Sequence, residues 1–364
     1  MAIIKDENGL NIFYIPATGN NEGFELPSMD AYFLTLNEEA YAFSNITKEG
    51  CHTNNYFDGT FIQNNPNEFG VILGHEFSPF IYRGQNKDYR HFVPTANRYG
   101  WLKREKIRKC IDWVKKQEFL QLFKATPYYN RCQNFQVLNC KFKFDLEAIA
   151  QHYEFMSNYL DITKDILVAM FFAYTYQKDG MYYPIQNFKG YSPTLYIGNL
   201  KTIYNKEPDC LKIIGFQSLL RPHLQKAMAI EIQKKDKVKH LFKKVKLPKS
   251  PVIAREIFEK ANRGFGLFPK EPVGFFARDV KNNKMLYKEY VEEFCCINKL
   301  NLEDVSKELN NLGYTFTDKT WDIPQDVVDV INNEIDNQII PYINDKIAFR
   351  GVSKPLYPAE RVVR

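Results

Sequence analysis

FIYRGQNKDYRHFVPTANR, residues 80–98, joins a short apolar run to a polar loop through an arginine and a glycine. Phe80-Ile81-Tyr82 reads as a buried strand that ends on Arg83 and Gly84, with Gln85-Asn86-Lys87-Asp88 as the loop beyond. Arg83 thus stands where an inner strand opens, with a glycine behind it that lets the backbone turn or a ligand come close. A guanidinium there can make a bidentate contact to a phosphate or carboxylate of a ligand. It can equally pair with a carboxylate of the fold or a helix C-terminus, and spacing alone leaves both readings open.

Around this stretch lies an ordinary globular composition. Of 364 residues, 45% are apolar and 25% charged, enough for one large domain with additions or for two domains. A net charge of +6, from 49 basic and 43 acidic residues, is too balanced to announce a nucleic-acid partner by itself. The seven cysteines form no C-x-x-C pair and no zinc-ligand spacing, so reduced thiols and no metal site are expected. Acidic residues follow Met1-Ala2-Ile3-Ile4-Lys5 where a signal peptide would carry its apolar core. The longest apolar run, Ile166–Tyr174, is far short of a membrane span. A cytoplasmic protein with no membrane partner is the expectation.

Outward from residue 80, three regions separate. Residues 1–70 alternate short apolar runs with turn-forming residues, such as Asn64-Asn65-Pro66-Asn67, and read as a strand-and-loop extension; Cys51-His52 lacks a third ligand. In the middle, Trp101–Phe123 has helical periodicity. Its basic excess could track a phosphate backbone, but interleaved acids favour a solvated face. Asp145 should cap a helix that carries Gln151-His152. A second helix, apolar on every side and therefore central, should start at Asp161 or Thr163, either of which can cap it. Residues 228–232 alternate like a half-buried strand, and Ser250-Pro251 is a helix start. The run Lys234–Lys249, with eight lysines and one acid, is the strongest nucleic-acid candidate, although a solvated loop or hairpin accounts for it too. Residues 287–364 are helical, with Asn301 as a cap, and should dock on the main domain or on a partner protein.

Four ordered blocks are similar to the FRG domain, a bacterial family named for its Phe-Arg-Gly signature. Tyr82-Arg83-Gly84-Gln85 with Pro94 and Arg98 resembles the opening. Gln151-His152-Tyr153, Leu160-Asp161-x-Thr163 and Ala169–Ala173 resemble the central block; Arg221-x-x-x-Gln225 and Gly266-Leu267-Phe268-Pro269 resemble the closing blocks. Glu154-Phe155-Met156-Ser157-Asn158 stands where the family reads Gly-Leu-Pro-Thr-Arg, and Ile162 stands in place of its tryptophan.

The order of these parts also resembles ADP-ribosyltransferase folds. The resemblance implies an α+β fold, a mixed sheet core with flanking helices, over residues 71–286, plus the C-terminal helical appendage. It implies NAD as a nucleotide substrate, a transferase or glycohydrolase activity, a protein or nucleic-acid acceptor, and a bacterial defence or toxin setting. Tyr82, Arg83, Gly84, Gln85 and Gln151 would bind the nucleotide, and Arg83, His152, Asp161, Thr163 and Gln225 would carry the chemistry. Gln225 stands where the layout wants a glutamate, and an amide cannot act as a general base. Glu231 is a substitute without a defined place. Bland roles exist for each: Asp161 and Thr163 as caps, His152 as a satisfied core histidine, Gln225 as a strand-edge residue. The alternative function is a non-catalytic module that binds nucleic acid or a partner protein.

Overall fold

The computed structural model describes residues 80–97, 103–126, 129, 145–207, 210–214, 219–232, 238–319, 323–334 and 337. It also describes the backbone of short strands at 3–5, 11–13, 59–65, 68–73, 136–137, 140–142 and 347–349. Most of the 1–70 extension, with Cys51 and His52, and the residues 98–102 and 233–237 lie outside the described residues.

A six-stranded sheet organises the molecule. Its strands are β1 (Phe80–Gln85), β2 (Tyr159–Thr163), β5 (Thr194–Asn199), β6 (Leu211–Ile213), β7 (Ala227–Glu231) and β8 (Phe242–Lys246), ordered β6-β7-β2-β1-β5-β8. Between β2 and β5 in sequence, β3 (Thr175–Lys178) and β4 (Met181–Pro184) form a separate hairpin. The sheet expected to be mixed is antiparallel at every pairing. Among the described residues, parallel pairs lie outside this sheet, for example 68–73 with 140–142.

Two expectations around this sheet need correction. β1 does not end on Arg83 and Gly84 but runs one residue further, to Gln85, because β5 continues the ladder opposite it, with Tyr196 facing Arg83, Leu195 facing Gly84 and Thr194 facing Gln85. Asp161 and Thr163 do not cap a helix; they lie in β2, where β7 pairs with both. The buried helix α3 (Ile166–Tyr174) starts only after the chain clears the sheet, and Asp165 caps it by accepting from the Leu167 N–H at 2.9 Å.

The sheet is covered on both faces. On one, Tyr82, Leu195 and Val245 pack against α3 and α6 (Pro251–Lys260). On the other, Ile81, Leu160, Ile162, Tyr196, Met228 and Ile230 enclose Phe92, with Leu200 and Ile203 of α4 (Leu200–Lys206). Gly84 decides how close α3 can come: a Cβ at residue 84 would lie 1.6 Å from the Ala169 carbonyl oxygen. The glycine of the Arg-Gly pair therefore admits a helix backbone.

Helix α1 (Lys103–Ala125) is a spine rather than a solvated rod. Ile107, Cys110 and Val114 pack with Val291, Phe294, Val305 and Leu309 of α8 (Lys288–Asn298) and α9 (Leu302–Asn311). Phe119, Leu122 and Phe123 pack with α2 (Leu146–His152), α7 (Pro272–Asn282) and α10 (Gln325–Glu334). The described C-terminal helices therefore share their cores with α1. Lys115 and Glu118 are buried as a 2.8 Å ion pair that also meets backbone: Lys115 donates to the Met285 carbonyl and Glu118 accepts the Tyr287 N–H. Partners of this kind offset the desolvation of both charges. Asp145, Ser250 and Asn301 cap helices as their sequence positions promise.

Gly84→Ala should destabilise the protein by about 3 kcal/mol or more, the upper end for overpacking a core, because two backbones must separate. Urea unfolding would measure it, and an unchanged midpoint would contradict this account of the glycine.

Candidate functional site

The cleft begins as a break in the sheet. β1 and β2 share one paired position, Tyr82 with Thr163. In that register 83 would next face 162 and then 84 face 161, and neither pair forms, so the strands splay. The Arg83 guanidinium spans the gap, Nη1 donating to the Asp161 carbonyl at 2.6 Å, with its cationic carbon 5.6 Å from the Phe92 ring centre. A charge-assisted bond to a carbonyl that has lost its ladder partner holds the gap at a fixed width.

Two cavities, of about 530 and 490 Å³, open from this break and meet along Arg83, His152, Asp161, Phe172, Gln177, Tyr182 and Gln225. They form one cleft with two lobes. The first lobe is walled by Arg108, Ile111, Asp112 and Lys115 of α1 and by the end of α2. The second is walled by Tyr82, Gly84, Gln85 and Thr163, with Val168 and Ala169 of α3. On the β3–β4 side the turn Asp179-Gly180 has positive φ at both residues, a hairpin geometry suited to these types, and so brings Gln177 and Tyr182 into the wall. Tyr182 stacks on Phe268 at 4.6 Å and touches Phe171 and Phe172, giving the cleft an aromatic side.

All nine residues expected at a site line this cleft, but they do different things. Gln151 is locked: Ser157 Oγ donates to its Oε1 at 2.6 Å, and its Nε2 donates to Asp161 Oδ1. Ser157 also accepts the Tyr159 N–H, so the hydroxyl at this position joins α2 to β2. Thr163 Oγ1 is spent on the Gln225 carbonyl at 2.6 Å and on the Asp165 N–H. Gln225 lies not on a strand edge but at the C-cap of α5 (Leu220–Leu224), where its Nε2 donates to the Leu267 carbonyl at 3.0 Å. Tyr82 is core, and Gly84 belongs to the contact with α3.

His152 and Gln85 differ from these. His152 is 6% exposed and hydrogen-bonds the Gln225 side chain, while its Nε2 is buried without a partner. Burial holds the imidazole below its ordinary pKa, opposed by Asp161 and the Gln225 bond and reinforced by Arg221; the ring is neutral at pH 7. Gln85 Oε1 in the second lobe is likewise buried without a partner. Unmatched buried polar atoms are expensive, and two in one cleft mark places where a bound polar molecule would complete the bonding.

Arg221, the arginine of the closing blocks, lies in α5, the short helix that leads into β7. Its Nε is 3.0 Å from the buried Glu271, its guanidinium stacks 4.7 Å from the Tyr153 ring centre, and Nη1 donates to the His152 carbonyl. Tyr153 donates to the same carboxylate at 2.8 Å. This cluster fixes the end of α2 and with it the position of His152.

Three site features escaped the sequence reading. Glu154 has φ +68°, a left-handed conformation that costs a residue with a Cβ roughly 1 kcal/mol or more and explains a glycine in the family pattern. Gln177 and Lys281 hold its carboxylate at 2.9 and 3.2 Å. Tyr182 and Phe268 become neighbours only through the fold. Asp112, hidden in a helix read as solvated, faces the first lobe, with Oδ2 accepting the Met156 N–H at 2.8 Å. Burial pushes its carboxyl up to about 6, against the Met156 bond and the Lys116 and Lys281 ammoniums, while Glu147 adds to the rise.

Several of the described basic residues read as nucleic-acid candidates are engaged within the fold. Lys116 holds Glu147 through both carboxylate oxygens, Lys244 pairs with Asp88, and Lys239 binds the carbonyls of Tyr89 and Arg90. Among the described residues no cluster of metal-ligand side chains occurs, and no helix is long and apolar enough to cross a membrane.

Fold and cleft together define an α+β protein whose antiparallel sheet parts to hold a polar, two-lobed pocket. Residues 78–181 match the FRG domain, and the chain therefore carries an FRG domain. The match includes Arg83, Asp112, His152 and Asp161, while Arg221, Gln225 and Phe268 lie beyond it. No curated protein and no solved structure matches this chain.

With the Asp112 pKa raised in the folded state, protonation favours folding, and that contribution is complete below the unfolded value near 3.8 and lost as pH passes 6. Asp112→Asn keeps an acceptor for Met156 and removes the buried charge. It should raise stability by about 3 kcal/mol at pH 8, with the gain vanishing near pH 4. Melting curves across that range would show it; a gain independent of pH would be inconsistent with a buried charge.

Proposed function

We propose that the cleft binds NAD and that the protein acts on it as an ADP-ribosyltransferase or NAD glycohydrolase. The observation that carries this reading is the meeting of two lobes of similar size at a single guanidinium. A dinucleotide has that form: two ring-bearing halves joined by an anionic pyrophosphate. Arg83 suits the bridge, since a planar fork binds phosphate oxygens in pairs. The stack of Tyr182 on Phe268 suits a flat heteroaromatic ring, and His152 Nε2 and Gln85 Oε1 suit ribose hydroxyls or a carboxamide. Asp161 brings a carboxylate to the junction, where it can stabilise the positive charge that grows on a ribose as its nicotinamide departs. Thr163, Gln151 and Gln225 serve this site by holding its frame, since most of their bonding is internal. Destruction or transfer of NAD would also suit the defence or toxin setting implied by the family.

The test is nicotinamide release from NAD by purified protein, with and without cell lysate, beside Arg83→Lys. That variant keeps the charge but loses the fork, and release should fall by about 100-fold, a typical loss for one transition-state donor. Melting temperature is recorded for both, because Arg83 also supports Asp161. A wild type that neither releases nicotinamide nor gains melting temperature with NAD would overturn the reading.

A further inference from the structure

We propose that Asp112 is the catalytic carboxylate of this cleft, the group that takes the proton from the acceptor which replaces nicotinamide. The proposal rests on the NAD reading above and adds to it the base that Gln225 cannot be.

The first lobe has three carboxylates in its wall: Asp112, Glu154 and Asp161. Glu154 is at the rim, half exposed and held by Gln177 and Lys281. Asp161 belongs to the sheet side, where its Oδ1 holds Gln151 and its carbonyl holds Arg83. Asp112 comes from the helix side. α1 turns Arg108, Ile111, Asp112 and Lys115 toward the lobe, a spacing that places them on one helix face. The Met156 N–H fixes one oxygen of Asp112, and the other receives no hydrogen bond from any described residue. The result is an oriented carboxylate with one oxygen available to a ligand, on a different element from the Asp161 carboxylate. Two carboxylates in separate roles, one stabilising the cationic sugar and one activating the incoming group, are what displacement at an anomeric carbon uses.

The charged groups that act on Asp112 are Lys116 of its own helix, Lys281 of α7 and Glu147 of α2; Arg108 and Lys115 share its helix face. Burial outweighs the lysines and leaves a carboxyl that titrates near 6. Such a group is ionised at neutral pH yet more basic than an exposed aspartate, which is the compromise general-base catalysis favours. In the step itself, the acceptor oxygen of water or of a hydroxyl bonds to the ribose anomeric carbon as the bond to the nicotinamide nitrogen breaks. The electron pair leaves with nicotinamide, neutralising its ring, and the acceptor proton passes to Asp112 and then to solvent.

Asp112 also anchors residue 156, so a purely structural role must be separated from a catalytic one. Asp112→Asn does this, since its amide oxygen can still accept the Met156 N–H. Nicotinamide release is measured from pH 4.5 to 8.5 for wild type and Asp112→Asn, with NAD binding followed by the shift in melting temperature. The expected result is a kcat about 100-fold to 1000-fold lower, with KM and the NAD-induced shift unchanged. The rise of wild-type kcat through pH 6 should be absent from the residual rate. If Asp112→Asn keeps more than a tenth of kcat with that rise intact, Asp112 is not the base while the NAD reading stands. Loss of NAD binding in the variant would make Asp112 a ligand anchor and likewise overturn the proposal. A wild type that neither binds nor cleaves NAD removes both readings.

Discussion

The bond from Arg83 to the Asp161 carbonyl is the constraint on which the site depends. Antiparallel strands normally pair along their length, and a break leaves polar backbone without partners. Here β1 and β2 part after one pairing, and a side chain takes over where the ladder stops. The same guanidinium that supports the opening therefore also faces into it. Support and recognition share one residue, and the walls of both lobes are set by how far an arginine reaches.

The second constraint is a close approach. α3 lies against β1 because residue 84 has no side chain, and the helix brings Phe171 and Phe172 with it. These rings meet Tyr182 and Phe268, so the depth of the Gly84 contact fixes where the aromatic side of the cleft stands. The Arg-Gly pair thus has a divided role: arginine points to the opening, glycine to the helix.

Polar burial is organised in a similar way around the helices. Arg221, Glu271 and Tyr153 hold the end of α2, and Lys115 with Glu118 holds α1 against β9 (Met285–Tyr287). In each cluster the charges also meet other hydrogen-bonding groups: the His152 carbonyl and the Tyr153 hydroxyl in the first, the Met285 carbonyl and the Tyr287 N–H in the second. Asp112 lines the first lobe with one oxygen bound to backbone and the other without a hydrogen bond from any described residue. A half-buried carboxylate whose pKa is raised in this way lowers stability at neutral pH.

Local signals were legible in the amino-acid sequence because their physics is local. Asp145, Ser250-Pro251 and Asn301 cap helices through bonds to residues three positions on, and the apolar run Ile166–Tyr174 could only be interior. Arg83 and His152 could be singled out by residue type and order. Which structure Asp161 and Thr163 adopt was decided by β7, a strand some sixty residues away that claims their backbone. The placement of Asp112, and the burial of Lys115, Lys116 and Glu118, followed from helices that arrive later in the chain. Periodicity reports the spacing of residues along one element, whereas a cleft is made by what the neighbouring elements leave uncovered, and only the tertiary structure decides that.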